Sequence, residues 1–192
     1  MIEPITLTGR HVRLEPLSPA HQDALLEAAS DGELWTLPYT IVPGKETITE
    51  YIRKTLQAQE LGLEQPFTIV DLAHNKIVGS TRYTVIDEAN RKVEIGYTWL
   101  ARSAQRTAIN TEAKYLLLEH AFEDRHCIRV ELITDILNER SQAAILRLGA
   151  KQEGILRNHM IMPNGRYRDS VCFSIIESEW PVVKERLLKR LG

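Results

Sequence analysis

The sequence lacks the features that mark several large classes of protein. It has only two cysteines, Cys127 and Cys172, which lie far apart and outside any CxxC arrangement. This spacing argues against a disulfide framework and against a cysteine-rich zinc site. The six histidines are scattered, with no HExxH or similar ligand spacing, so we expect no bound metal.

Long apolar runs and an excess of basic charge are also missing. No apolar stretch approaches the length of a membrane span, and the N-terminus lacks the basic and hydrophobic regions of a signal peptide. The formal net charge of −2 gives no basic surface for nucleic acid. We therefore expect neither a membrane nor a nucleic-acid partner, and we take the cytoplasm as the default location.

The length and composition that remain predict one ordinary domain. A chain of 192 residues, 43% hydrophobic and 26% charged, is long enough for one sizeable core and short for two. No internal repeat, linker or low-complexity segment divides it. We therefore treat residues 1–192 as a single domain.

Apolar periodicity predicts the element order βααβββαβαββα. The predicted strands cover residues 11–15, 67–70, 77–86, 92–100, 128–134, 150–161 and 167–176. The predicted helices cover residues 19–30, 47–61, 109–121, 138–148 and 181–191. Mostly antiparallel pairing with one strand–helix–strand crossover in the middle predicts a mixed sheet covered by helices, an α/β fold of the mixed α+β type.

The stretch from Lys92 to Ala113 joins a strand, a loop of small residues and the start of a helix. Two sets of side chains alternate along its strand: Val93, Ile95, Tyr97 and Trp99 on one face, and Glu94, Gly96 and Thr98 on the other. The first N–H groups of a helix have no intrahelical partner and point forward. This geometry predicts a site that can hold a phosphate.

The loop resembles the pyrophosphate loop of the GCN5-related N-acetyltransferases, the GNAT superfamily. The pattern of that family is Gln or Arg, two residues, Gly, one residue, then Gly or Ala, often followed by Thr-Glu-Ala. Gln105 and the segment Thr111-Glu112-Ala113 match it, whereas Ala108 and Asn110 stand at the two small positions. Glycine is used where φ is positive or where a ligand leaves no room for Cβ, so these two residues test the resemblance.

Other segments extend the resemblance over nearly the whole chain. Asn138-Glu139-Arg140-Ser141, followed by Leu148-Gly149-Ala150, is similar to the Asn-x-x-Ser…Leu-Gly-Phe segment of the family. Residues Asp169 to Phe173 resemble the end of the ribosomal-protein N-acetyltransferase branch. The resemblance implies the acyl-CoA N-acyltransferase fold: a central, mostly antiparallel sheet with a splayed parallel pair and helices on both faces.

The resemblance also implies acetyl-CoA as co-substrate, with no metal, and an amine as acceptor. The pantetheine arm would lie in the gap between the strands at Lys92–Leu100 and Ile128–Thr134. The implied cofactor-binding residues are Trp99, Leu100, Gln105, Arg106, Thr107, Ala108, Ile109, Asn110, Thr111, Asn138 and Ser141. Two alternatives stay open: Asn110 caps the helix, or Arg106 is a solvated loop residue.

Acetyl transfer to an amine needs a base, because a primary amine is mostly protonated at pH 7. We assign this role to Glu94; alternatively it is only the polar partner in an alternating strand. Backbone N–H groups at a strand kink near Gly96 could stabilise the thioester oxygen. Ser141 is the available donor for the departing thiolate, and alternatively it bonds the backbone of its own helix turn. Asn138 is also a natural N-cap.

The acceptor site is less well defined by the sequence. Trp35 and Tyr39 are candidates for one wall, although Trp35 could instead belong to the core, and Arg168 is a candidate for the other wall. The acceptor is a protein N-terminus, as the ribosomal-protein branch suggests, or a small amine. A homodimer is plausible. The competing interpretation is a non-catalytic acyl-CoA-binding or sensing protein of the same fold.

Overall fold

The computed structural model describes residues 4–192, which fold around one sheet. Its strands are β1 (Leu7–Thr8), β2 (Val12–Pro16), β3 (Gln65–Asp71), β4 (Lys76–Asp87), β5 (Lys92–Leu100), β6 (Arg129–Asp135), β7 (Lys151–Ile161) and β8 (Tyr167–Ile176). Their order across the sheet is β1-β2-β3-β4-β5-β6-β8-β7. Neighbours pair antiparallel except β5 and β6, which are parallel. The predicted mixed sheet is confirmed.

The α-helices begin and end close to the predicted positions. They are α1 (Gln22–Ser30), α2 (Ile48–Glu60), α3 (Ala108–Glu119), α4 (Glu139–Leu148) and α5 (Trp180–Leu191). The hydroxyl of Ser18 accepts from the backbone N–H of Ala20 and caps a 3-10 turn that leads into α1. Gly149, with φ of +109°, ends α4 in the left-handed conformation that a side chain disfavours.

Helices cover both faces of the sheet, as successive residues of β4 show. The buried Tyr83 hydroxyl donates to the carbonyl of Leu117 in α3. Its neighbour Arg82 points to the opposite face, where the guanidinium donates to the Tyr51 hydroxyl in α2 at 2.6 Å. Because successive strand side chains alternate between faces, α2 and α3 lie on opposite sides of the sheet.

The parallel pair β5–β6 is joined over a short length only. Lys92, Val93 and Glu94 pair with Arg129, Val130 and Glu131, respectively, and no later residue of either strand is paired with the other. Beyond this point β5 stays bonded to β4, and β6 stays bonded to β8. The two strands therefore splay apart, as the resemblance implied, and leave a gap that opens beside Glu94.

The predicted alternation along β5 is wrong beyond Ile95. Gly96 pairs with Arg82 and Trp99 with Ser80, so three steps on β5 match two on β4 and form a bulge. Tyr97 takes a φ of +49° at this bulge. The extra residue moves Trp99 to the face of Ser80 and Arg82, which is also the face of Glu94. The left-handed conformation at the bulge therefore belongs to Tyr97 and not to Gly96.

Two smaller features also differ from the sequence prediction. The two-residue strand β1 is too short to show any periodicity, and it pairs with Leu14 and Arg13 of β2. Helix α3 ends in a π-helical turn over His120–Asp124, next to the buried Cys127. Burial raises the pKa of the Cys127 thiol, so the thiol stays protonated at neutral pH. No helix within residues 4–192 is long and apolar enough to cross a membrane.

Candidate active site

Two carboxylates stand side by side where β5 and β6 separate. Glu94 and Glu131 are directly paired across the parallel strands, so their side chains project from the same face. Burial, together with the charge of the nearby Glu131, raises the pKa of Glu94 to about 7, and Arg168 opposes the shift. A carboxyl that titrates near neutrality can both take up and release a proton under physiological conditions. This property distinguishes Glu94 from an ordinary polar residue of a strand.

Arg168 belongs to an ion-pair cluster on the β6–β8 side of the gap. The fully buried Asp135, at the end of β6, bonds the guanidinium of Arg166 and lies 3.9 Å from Nε of Arg168. Arg166 also donates to the carbonyl of Pro38, at 3.3 Å. This contact ties the β7–β8 hairpin to the α1–α2 connection. Arg168 is therefore held close to Glu94 and is not an ordinary surface charge of the hairpin.

An aromatic cluster lies on the β4–β5 side of the gap. The buried guanidinium of Arg82 lies against the rings of Tyr51 and Tyr97, with its Cζ 4.4 Å from the Tyr97 centroid. Glu64 bonds the same guanidinium at 2.6 Å and offsets its charge. Tyr97 remains 40% exposed, so the bulge residue presents its ring at the surface of the site. Sequence inspection missed this cluster, because no local pattern links α2 to β4 and β5.

The loop after β5 is stabilised by its own side chains. The amide of Gln105 donates to the carbonyl of Leu100 at 3.0 Å, and the hydroxyl of Thr107 donates to the carbonyl of Ala104 at 2.8 Å. The Thr107 hydroxyl also accepts from the N–H of Ile109 and caps α3. Arg106 takes a φ of +63° and is exposed. Within residues 4–192 its side chain makes no ion pair, so it is available to a ligand.

The two departures from the glycine pattern are compatible with this loop. Ala108 and Asn110 lie in the first turn of α3, where the backbone is right-handed and glycine is not required for φ. The positive φ of the loop falls on Arg106 instead. The alternative that Asn110 caps the helix is wrong, because Thr107 does so. The backbone N–H groups of Ala108 and Asn110 have no intrahelical partner and point forward from the start of α3.

The short loop after β6 brings the start of α4 to the same end of the gap. The side-chain oxygen of Asn138 accepts from the N–H of Ser141 at 3.1 Å, which confirms the predicted N-cap. Within the described chain, the Ser141 hydroxyl makes no hydrogen bond to the protein. The alternative in which this hydroxyl bonds the backbone of its own turn is therefore not observed.

The remaining residues of the predicted site differ in how far their side chains are buried. Trp99 and Leu100 are buried at the end of β5, and Nε1 of Trp99 is buried without a hydrogen-bond partner in residues 4–192. Trp35 is 39% exposed and packs on Gly44, which contradicts the alternative of a core residue. Tyr39 is half-buried beside Pro38, which Arg166 bonds. Thr111 lies in the first turn of α3, after Asn110.

One residue of the matching motif has a role the sequence did not reveal. The carboxylate of Glu112 accepts hydrogen bonds from the backbone N–H groups of Arg10, His11 and Val12, at 2.9, 2.6 and 2.7 Å. Gly9 gives it room, since a Cβ there would lie 2.5 Å from the carboxyl carbon. Glu112 therefore ties α3 to the start of β2, a function that local sequence cannot indicate.

This arrangement can be compared with known proteins. A family model described as an acetyltransferase (GNAT) domain matches residues 11–151. The chain belongs to the GNAT family. The resemblance noted in the sequence is confirmed, and membership of an acetyltransferase family favours the enzyme over the non-catalytic binding or sensing protein.

Individual GNAT proteins agree in sequence and structure. The "Putative ribosomal N-acetyltransferase YdaF" of Bacillus subtilis is 37% identical over 95 residues, which make up 50% of this chain and 51% of that protein. The uncharacterized N-acetyltransferase p20 of Bacillus licheniformis is 25% identical over 91% of this chain and 98% of its own length. A GCN5-related N-acetyltransferase from Brucella melitensis superposes with a TM-score of 0.90 at 32% identity, covering 100% of this chain and 87% of the other. The predicted fold is thereby confirmed.

Proposed function

We propose that this chain transfers the acetyl group of acetyl-CoA to the amine of a protein N-terminus by direct attack, without a covalent enzyme intermediate. One observation carries the proposal: Glu94, whose pKa is raised to about 7, stands where the splayed strands open. A base with this pKa is well matched to deprotonating an amine near neutral pH.

The residues around the gap fit coenzyme A. The N-terminus of α3, with Arg106 before it, offers N–H donors and a cation to a pyrophosphate. The gap between β5 and β6 offers unpaired strand edges to the amide groups of the pantetheine arm. The buried N–H of Trp99, which has no partner among the described residues, marks a further place for an acceptor atom.

Each step of the transfer has a candidate residue. Glu94 removes the proton of the incoming ammonium, and burial, together with the neighbouring Glu131, keeps the pKa of Glu94 high enough for this task. Backbone N–H groups of the Tyr97 bulge, on the part of β5 that β6 leaves unpaired, stabilise the thioester oxygen as it gains charge. The Ser141 hydroxyl, free of other bonds in the described chain, supplies a proton to the departing thiolate. The thioester provides the activated acetyl group.

A protein N-terminus is the acceptor that the surroundings support best. The relative YdaF is named a ribosomal N-acetyltransferase, which agrees with the branch that residues Asp169 to Phe173 resemble. When it is ionised, Glu94 offers an ammonium group a charged partner at the point where the strands separate. Trp35 and Tyr39 on one side, and Arg168 on the other, are placed to contact the residues that follow the amine.

A direct assay tests the proposal. Purified protein is incubated with acetyl-CoA and one of three acceptors: a peptide with a free N-terminus, the same peptide N-terminally blocked but carrying a lysine, or a small primary amine. We expect saturable thiol release only with the free N-terminus. Release with the small amine alone would reassign the acceptor. Calorimetric binding of acetyl-CoA without turnover on any amine would instead support the sensor.

Arg106→Ala tests the cofactor loop. We expect the Kd for acetyl-CoA to rise about five- to tenfold at low salt and less at high salt, because a partly exposed charge on phosphate is screened. Arg102→Ala is the matched control, since Arg102 lies in the same loop but at the start of the 3-10 turn Arg102–Ala104, and the Kd of this variant should change less than about twofold. Acetyl-pantetheine, which lacks the pyrophosphate, should not distinguish the two variants. An equal loss in both variants would refute the assignment.

A further inference from the structure

Lys114 is a buried lysine for which the proposed reaction has no use. It lies in the second turn of α3 and is only 6% exposed. Its Nζ bonds the Thr98 hydroxyl at 2.5 Å, and no carboxylate in residues 4–192 pairs with it. Burial lowers the pKa of Lys114 to about 7. An amine so placed is strongly unfavourable compared with an apolar side chain of the same length.

The partner of Lys114 is part of the bulge that faces the gap. Thr98 directly follows Tyr97, and its hydroxyl also contacts the Thr81 hydroxyl of β4 at 2.7 Å. It lies 3.5 Å from the carbonyl of Gly96, at the other end of the bulge. Lys114, Thr98 and Thr81 therefore form one buried chain of polar contacts that joins α3, β5 and β4. We call it the Lys114 network.

The bulge needs such support. A tyrosine with φ of +49° is in a backbone region that L residues adopt rarely, and such conformations persist only when their surroundings impose them. On the β6 side, β5 has no strand partner beyond Glu94. The Lys114 network contacts the bulge from α3 and from β4, and it thereby supports a segment that lacks a strand partner on the β6 side.

We propose that Lys114 is a positioning residue for acetyl transfer: through Thr98 it holds the backbone N–H groups of the Tyr97 bulge where the thioester oxygen must lie. The inference rests on the proposed function and extends it to a residue outside the gap. It also explains why the helix that begins at the cofactor loop carries an amine rather than an apolar side chain at this depth. Lys114 links the two ends of the cofactor site, the start of α3 and the bulge.

The deciding variant is Lys114→Met, which keeps the length of the side chain and removes its polar group. We expect thermal stability to rise, because a buried amine that no carboxylate of residues 4–192 pairs with is replaced by an apolar group. We expect kcat to fall about 10- to 100-fold, with the KM for acetyl-CoA within about threefold, because a displaced donor weakens the transition state rather than cofactor binding. A purely structural role would not produce higher stability together with slower turnover.

Two further variants ensure that the test does not depend on a single substitution. Thr98→Val breaks the same network from the other side, and combining it with Lys114→Met should lower kcat little more than either change alone. Tyr83→Phe is the matched control, since the Tyr83 hydroxyl forms another buried hydrogen bond between β4 and α3, to the carbonyl of Leu117, and does not contact Thr98. It should alter stability and leave kcat within about twofold.

The outcomes separate this inference from the proposed function. If the wild-type protein did not transfer acetyl groups to any amine, the proposed function would be wrong. Active wild type with unchanged kcat in Lys114→Met, or an equal loss in Tyr83→Phe, would overturn the role of Lys114. Backbone amide NMR adds a readout without catalysis. The signals of Gly96, Tyr97 and Thr98 should shift in Lys114→Met but not in Tyr83→Phe, and unshifted signals in Lys114→Met would also overturn it.

Discussion

Glu94→Gln should lower kcat about 100- to 1,000-fold while the Kd for acetyl-CoA stays within about twofold. The amide keeps the shape of the side chain but cannot accept the proton of the ammonium. Cofactor binding is spared because the start of α3 and the loop before it lie at the far end of β5 from Glu94. Steady-state kinetics with a free N-terminal peptide, together with calorimetry, separates the two quantities.

The pH dependence gives the same prediction a second measurement. The raised pKa of about 7 means that Glu94 is protonated and inactive at lower pH, so kcat/KM should rise with pH through neutrality. Glu131→Gln is the matched variant: it removes a negative neighbour, lowers the pKa of Glu94 and moves this rise to lower pH. If Glu94→Gln kept wild-type turnover, or Glu131→Gln left the profile unmoved, Glu94 would not be the base.

Glu112→Ala should lower the free energy of unfolding by about 3–5 kcal/mol. The change leaves the backbone N–H groups of Arg10, His11 and Val12 without their acceptor, and all three are buried or partly buried. Unsatisfied donors of this kind are more costly than the average hydrogen bond is stabilising. Urea unfolding, followed by circular dichroism, measures the loss.

Two further glutamate variants control for this prediction. Glu112→Gln keeps one acceptor oxygen, so we expect an intermediate loss. Glu119→Ala removes a carboxylate from the same helix, but this one is partly exposed and bonds Tyr115 and Lys184, so the loss should be at most about 1 kcal/mol. Equal losses for Glu112→Ala and Glu119→Ala would show that Glu112 is not an anchor. Variants at Glu112 should leave the pH profile of kcat/KM where it is.

Much of the fold could be predicted, because apolar periodicity reports directly on which side of a strand or helix is buried. The prediction failed first on β5, at the Tyr97 bulge. A bulge changes the face of every later residue, and its cause lies in Thr98, Lys114 and the absent strand neighbour rather than in the local sequence. Trp99 was therefore placed on the wrong face, although its burial was correct.

The candidate site was predicted in its parts but not in its connections. Glu94, Ser141 and the loop from Gln105 stand out because they match short motifs. The contacts that hold them, such as Arg166 with Asp135, join segments that are distant along the chain. The loop also shows that a pattern of glycines can be satisfied in another way: the positive φ falls on Arg106 and the helix begins at a threonine cap.

The short register of the parallel pair has a mechanical consequence. Three residue pairs join the half-sheet β1–β5 to the half-sheet β6–β8–β7, so among β2–β8 this seam has the fewest pairs. Contacts outside the seam also link the two halves, among them the packing of α3 against α5 and the hydrogen bond from Arg166 to the carbonyl of Pro38. A force applied perpendicular to the strands would therefore separate β5 from β6 before it separated any other pair of strands among β2–β8. A molecule bound between β5 and β6 would link the two half-sheets, which would then resist such a force as one unit.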